Sequence, residues 1–160
     1  MSPISSLVKQ IFETLREKEL TIVTAESCTG GLLSALITDI PGISKYFERG
    51  YVTYSNEAKE ENLGVPSWML EQHGAVSEQV ALSMANGALT NSHADIAVSI
   101  TGVAGPDGGT EEKPVGLVFI ACQRRSTAPA CTKNNFSGNR DEVRTQSVQK
   151  ALEMILEAAA

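Results

Sequence analysis

At 160 residues, with 42% apolar and 20% charged side chains, the chain has the size and composition of one globular domain with a single sizeable core. Its net charge of −6, its pI near 4.9 and the lack of any gathered basic patch argue against a nucleic-acid-binding surface. No apolar run reaches the roughly 18 residues of a membrane span. The first residues, MSPISSLVKQIFETL, carry helical periodicity instead of a leader's charged start and apolar centre. Cys28, Cys122 and Cys131 are odd in number and widely spaced, and no ligand pair of the CxxC or HxxH kind occurs. A disulfide framework and a structural zinc site are therefore not expected, and a reducing cytoplasm is.

In chain order, Ile4, Leu7, Val8, Ile11, Phe12 and Leu15 recur at helical spacing and predict an amphipathic first helix. Thr21 to Ala25 reads as a buried strand, followed by a polar, glycine-bearing turn and a helix to about Asp39, broken by Pro41-Gly42. Arg49 to Tyr54 alternates and is β-rich, so it is a second strand. Ser55 or Asn56 caps a short helix containing Lys59, and Ser77 caps a helix through Val80, Met84, Ala88 and Leu89. His73 falls in a loop between them, and His93 at the end of the second. Asp95 to Thr101 is a third strand, Val115 to Cys122 a fourth and Cys131 to Phe136 a fifth. From Asp141 a last helix presents Val148, Ala151, Leu152, Ile155 and Leu156 on one face. The alternation predicts an α/β single-domain layered fold, with helices packed on a sheet. The last two strands follow one another without a helix, so the sheet is expected to be mixed.

The turn Thr24-Ala25-Glu26-Ser27-Cys28-Thr29-Gly30-Gly31 joins strand to helix. Such a turn sets a hydroxyl beside free N–H groups at a helix N-terminus, which suits a phosphate or the oxyanion of acyl transfer with Ser27 as nucleophile. A plain N-cap at Ser27 or Thr29 explains the same residues more simply. Ser27 needs a base, and neither histidine is well placed to be one. Lys59, just past the second strand, can serve if burial or positive neighbours lower its pKa; Tyr54 can relay its proton. The competing reading is a solvated lysine among Glu57, Glu60 and Glu61. Cys28 is the rival nucleophile, since a helix N-terminus depresses a thiol pKa.

The segment TGVAGPDGGT after the third strand has four glycines and no Lys-Ser/Thr, so it is neither a P-loop nor a full GxGxxG fingerprint. It suits close backbone approach to a ligand, or a plain connector, with Thr101 offering a hydroxyl at the strand end. Arg140 and Arg144, four apart at the start of the last helix, oppose its dipole, and an anion between them would relieve that; pairing with Asp141 is the alternative.

The blocks TAESCTGG (24–31), ITDIPGISKYFERGYVTYSNEAKEENLGV (37–65), HGAVSEQVA (73–81), SITGVAGPDGGTEEKPVG (99–116) and GNRDEVR (138–144) together resemble the CinA C-terminal domain family of nicotinamide mononucleotide amidohydrolases. They stand in the family's order along nearly the whole chain. The resemblance implies one such domain over residues 1–160, in a stand-alone form without the additional N-terminal domain of longer relatives. It implies hydrolysis of the substrate's carboxamide to nicotinate mononucleotide and ammonia. Ser27 would be the nucleophile, with Tyr54 and Lys59 as proton-transfer partners. Thr29, Gly30 and Gly31 would supply oxyanion donors, Thr101, Gly102 and Gly105 would face the substrate, and Arg140 and Arg144 would hold its phosphate. No metal or cofactor is expected, the partner is a small-molecule nucleotide, and the resemblance favours a homo-oligomer. The family's association with bacterial competence leaves a second reading, a catalytically silent nucleotide-binding or interaction protein. Residues 123–133 match none of these blocks.

Overall fold

The computed structural model describes residues 2–160. Helix α1 (Pro3–Lys18) starts where the Ser2 hydroxyl accepts from the Ser5 N–H, and it buries Val8, Ile11 and Leu15. Five strands follow: β1 (Ile22–Glu26), β2 (Phe47–Val52), β3 (Ile96–Gly102), β4 (Leu117–Arg124) and β5 (Ala130–Asn135). They form one sheet in the order β2-β1-β3-β4-β5, parallel across the first three and antiparallel across the last three. The mixed sheet expected from the sequence is therefore present.

Side-chain alternation divides the core. Ile22, Ile96, Val98, Ile100, Val118 and Ile120 pack against α1, α2 (Leu32–Ile37) and α6 (Arg140–Ala159). On the opposite face Val23, Ala25, Ala97, Leu117, Phe119 and Ala121 meet α3 (Asn56–Leu63), α4 (Ser67–His73) and α5 (Glu78–Thr90). That face is rich in alanine, and α5 answers with Ala81, Ala85, Gly87 and Ala88, so backbones approach closely. A Cβ built on Gly87 would fall 1.9 Å from the Leu63 carbonyl oxygen of α3. Gly87→Ala is expected to cost about 3 kcal/mol, the upper end for overpacking a tight core, read from urea midpoints. A loss below about 0.5 kcal/mol would show that α3 slides aside freely.

Four expectations need correction. Strand β4 begins and ends two residues late, at Leu117 and Arg124 instead of Val115 and Cys122. Helix α4 was not foreseen: seven residues between Pro66 and Gly74 are too few to show a period, and His73 ends this helix instead of lying in a loop. Helix α2 stops at Ile37, two residues short of Asp39, with a 3-10 turn at Ile43–Lys45 beyond it. Strand β2 begins and ends two residues early, which leaves Tyr54 outside the sheet.

Register places the chemistry. Glu26 pairs with Val52 on one side and Ile100 on the other. Residues 27 and 53 thus leave their strands beside Thr101, the last residue but one of β3, at one carboxyl edge of three adjacent parallel strands, where open α/β sheets bind ligands.

Candidate active site

At that edge lies an open cleft of about 290 Å³, walled by the turn after β1, the start of α3, the glycine-rich segment after β3 and Arg140. At its floor the Lys59 amine, only 1% exposed, stands 2.9 Å from Ser27 Oγ. It also donates to the carbonyls of Thr53 (3.0 Å) and Tyr54 (3.3 Å). Two carbonyls can only accept, so they take two N–H bonds; towards Ser27 Oγ the charged amine donates its third N–H, and a neutral amine would present its lone pair there. Burial lowers the Lys59 pKa from the usual 10.5, because water no longer stabilises the charge. The solvated-surface reading of Lys59 is thereby excluded. The sequence put Lys59 just past a strand but gave no sign of its burial, which follows from α3 folding back over the strand ends.

Cys28 is corrected as a rival. Its thiol is pushed up to about 11 by burial, the opposite of the depressed value expected at a helix N-terminus. The reason is that α2 begins only at Leu32, four residues on, and its terminus is already filled. The Glu26 carboxylate accepts from the N–H groups of Gly31, Leu33 and Ser34. The Gly30 N–H donates to the Ser27 carbonyl. Gly30 and Gly31 are therefore not free to bind an oxyanion. Thr29 lies off the cleft wall, with its hydroxyl on Glu26. Cys28, next to the nucleophile, lines the wall, and its N–H donates to no backbone carbonyl.

The remaining expected residues divide in two groups. Thr101, Gly102 and Gly105 line the cleft. The Thr101 hydroxyl is committed to the Ala75 carbonyl at 2.8 Å, so it shapes the wall instead of offering a donor. A Cβ on Gly102 would fall 2.6 Å from Val118 Cγ2, so only glycine lets this strand end pass β4. Tyr54 is 61% exposed, and its phenol is the partner of Arg140 (Nη2, 3.4 Å), not of the Lys59 amine. The relay expected of its side chain is thus replaced by a place on the cleft rim.

The two arginines part company. Arg140 enters the cleft, held by a 2.7 Å bond to the Gly105 carbonyl. Arg144 instead donates to the Thr29 carbonyl at 2.8 Å, under the Ser27 turn, and is no cleft residue. Sequence reasoning passed over Asn56 and Asp107, which also line the cleft. Both stand inside recognised blocks, but Asn56 was read only as a cap candidate, and Asp107 in its loop gave no separate signal. A larger groove of about 490 Å³ between the β4–β5 hairpin and the end of α6 contains no nucleophile–base pair. Its one thiol, Cys122, is pushed up to about 12 by burial. No group of three or more potential metal ligands occurs among the described residues, and no helix there is long and apolar enough to cross a membrane.

The protein is thus a layered α/β domain that holds a buried serine–lysine pair at the carboxyl edge of its parallel strands. The chain belongs to the CinA C-terminal domain family, whose model matches residues 4–159. It is 51% identical to the nicotinamide-nucleotide amidohydrolase PncC of Escherichia coli strain K12 over 154 residues, covering 96% of this chain and 93% of that protein. A CinA-like protein of Syntrophobacter fumaroxidans is 50% identical over 146 residues, 91% of this chain but 34% of that longer protein. The crystal structure of the competence/damage inducible protein CihA from Agrobacterium tumefaciens superposes with a TM-score of 0.98 at 43% identity, covering 100% of this chain and 98% of that one.

Proposed function

We propose that this chain hydrolyses the carboxamide of nicotinamide mononucleotide, giving nicotinate mononucleotide and ammonia. The observation that carries the reading is the 2.9 Å contact between the buried Lys59 amine and Ser27 Oγ, in a relative of a nicotinamide-nucleotide amidohydrolase. Neutral Lys59 takes the proton of Ser27 as Oγ attacks the carboxamide carbon. The Cys28 N–H faces the oxyanion. Lys59 then returns the proton to the leaving nitrogen, which departs as ammonia, and next deprotonates the water that frees the acid and restores Ser27. Each step moves one proton between groups within reach of one amine.

The substrate joins a cationic pyridinium ring to an anionic phosphate. Arg140 supplies the cation for the phosphate, and Asp107, the one acidic residue on the cleft wall, suits the ribose hydroxyls or the ring's positive charge. Tyr54 steadies Arg140 at the rim. Assembly as a homo-oligomer belongs to the same proposal, and sedimentation at graded concentrations tests it.

Incubation of the purified protein with nicotinamide mononucleotide tests the reaction: ammonia and nicotinate mononucleotide should appear in equal amounts. A protein that binds the nucleotide and releases no ammonia would be the silent binding protein that the family's competence-related members suggest. Arg140→Ala should raise KM for the mononucleotide about 10- to 150-fold, the cost of one charged bond to phosphate. Its effect on nicotinamide riboside, which lacks the phosphate, should be small. Arg144→Ala should leave the ratio of the two KM values unchanged. Equal losses on both substrates with Arg140→Ala would remove the phosphate from Arg140.

A further inference from the structure

We infer that Glu26 is a positioning residue for catalysis: its buried carboxylate replaces an external anion at the start of α2 and thereby fixes the turn that aims Ser27 at Lys59. The inference rests on the serine–lysine reading above. Glu26 is fully buried, 0% exposed, at the end of β1, the middle one of the three parallel strands. A carboxylate buried without partners is costly, so what surrounds it has to be specific. Five donors converge on it. Oε1 accepts from Thr29 Oγ1 at 2.6 Å, from the Gly31 N–H at 3.2 Å and from the Leu33 N–H at 2.9 Å. Oε2 accepts from the Ser34 N–H at 3.0 Å and Ser34 Oγ at 2.6 Å. The Ser34 hydroxyl lies 2.8 Å from Thr24 Oγ1, so the network reaches back into the same strand.

These donors span residues 29–34, and the carboxylate they share sits one position before the nucleophile. Residues 27–31 therefore form a loop pinned at both ends by a single side chain. Its backbone adds two more pins: the Ser27 N–H on the Ile100 carbonyl and the Gly30 N–H on the Ser27 carbonyl, both 3.0 Å. The Glu26 carbonyl accepts from the Thr53 N–H, and the Thr53 carbonyl accepts from Lys59. One residue thus ties the nucleophile's turn to the strand end that holds the base. Misplacing a reacting group by about 1 Å can cost on the order of 100-fold in rate without touching the substrate's binding groups. Glu26 does not line the cleft, so it acts through Ser27.

The test is Glu26→Gln, which keeps shape but turns an NH₂ group towards backbone donors. At a temperature where circular dichroism shows it fully folded, kcat on nicotinamide mononucleotide should fall about 100-fold with KM within about twofold. If the glutamine variant fails to fold, Thr29→Val decides, since it removes one donor and leaves the carboxylate four. It should lower kcat several-fold at unchanged KM, and Thr29→Ser should restore most of the loss. A folded Glu26→Gln with normal kcat, a rise confined to KM, or a Thr29→Val that behaves as wild type would each overturn the inference. The underlying reading has its own check. If Ser27→Ala keeps full activity, the serine–lysine chemistry is wrong; if it is dead while folded Glu26→Gln is normal, only the role of Glu26 is.

Discussion

Ser27→Ala is expected to lower kcat on nicotinamide mononucleotide by at least roughly 10⁴-fold, since removing a nucleophile from a cooperating set removes nearly everything the set contributes. Its fold should be intact: the change removes a single hydroxyl, and the Lys59 amine keeps its two carbonyl partners. Cys28→Ala should retain substantial activity, because a thiol held near 11 is not a thiolate at neutral pH. Stopped-assay ammonia release on both variants checks the pair. An inactive Cys28→Ala beside an active Ser27→Ala would reverse the assignment.

Lys59→Arg should lower kcat/KM by about 100-fold or more near neutral pH, as a guanidinium holds its proton throughout that range. In the wild type the rate should rise with pH as Lys59 loses its proton. The midpoint should lie below the usual lysine value of 10.5, since burial disfavours the charged form. Stability follows the same shift. Below the lowered pKa both folded and unfolded chains carry the proton, and the folded chain bears the whole cost of burying the charge. Between the lowered value and 10.5 the unfolded chain binds more protons, so wild-type stability rises with pH through that window. Lys59→Met has no such group. Its stability relative to wild type should therefore decline as pH is raised towards 10.5, measured by paired urea titrations at several pH values. A difference that does not vary with pH, together with near-normal turnover of Lys59→Arg, would remove Lys59 as the base.

Both predictions rest on a site whose residue types stood in the sequence but whose arrangement did not. The amphipathic first helix, five strands, the mixed sheet and the Ser77-capped helix were legible because each is written in local periodicity and cap chemistry. Ser27, Lys59, Thr101 and Arg140 were legible as candidates for the same reason: each stands at the end of a strand or the start of a helix. Helix α4 was not, because seven residues carry less than two full periods.

Only the tertiary structure decided which candidates meet. Lys59 sits among glutamates in the sequence and reads as solvated, yet α3 buries it against Ser27 across 32 positions. Arg140 and Arg144 share a helix face by spacing, but one reaches the Gly105 carbonyl and the other the Thr29 carbonyl. The glycine turn reads as an open anion site, and Glu26 already fills it. Periodicity along a chain reports which side of an element faces inward. Desolvation, and the donors and acceptors that converge on one atom, come from segments far apart in sequence, and only their packing brings them together.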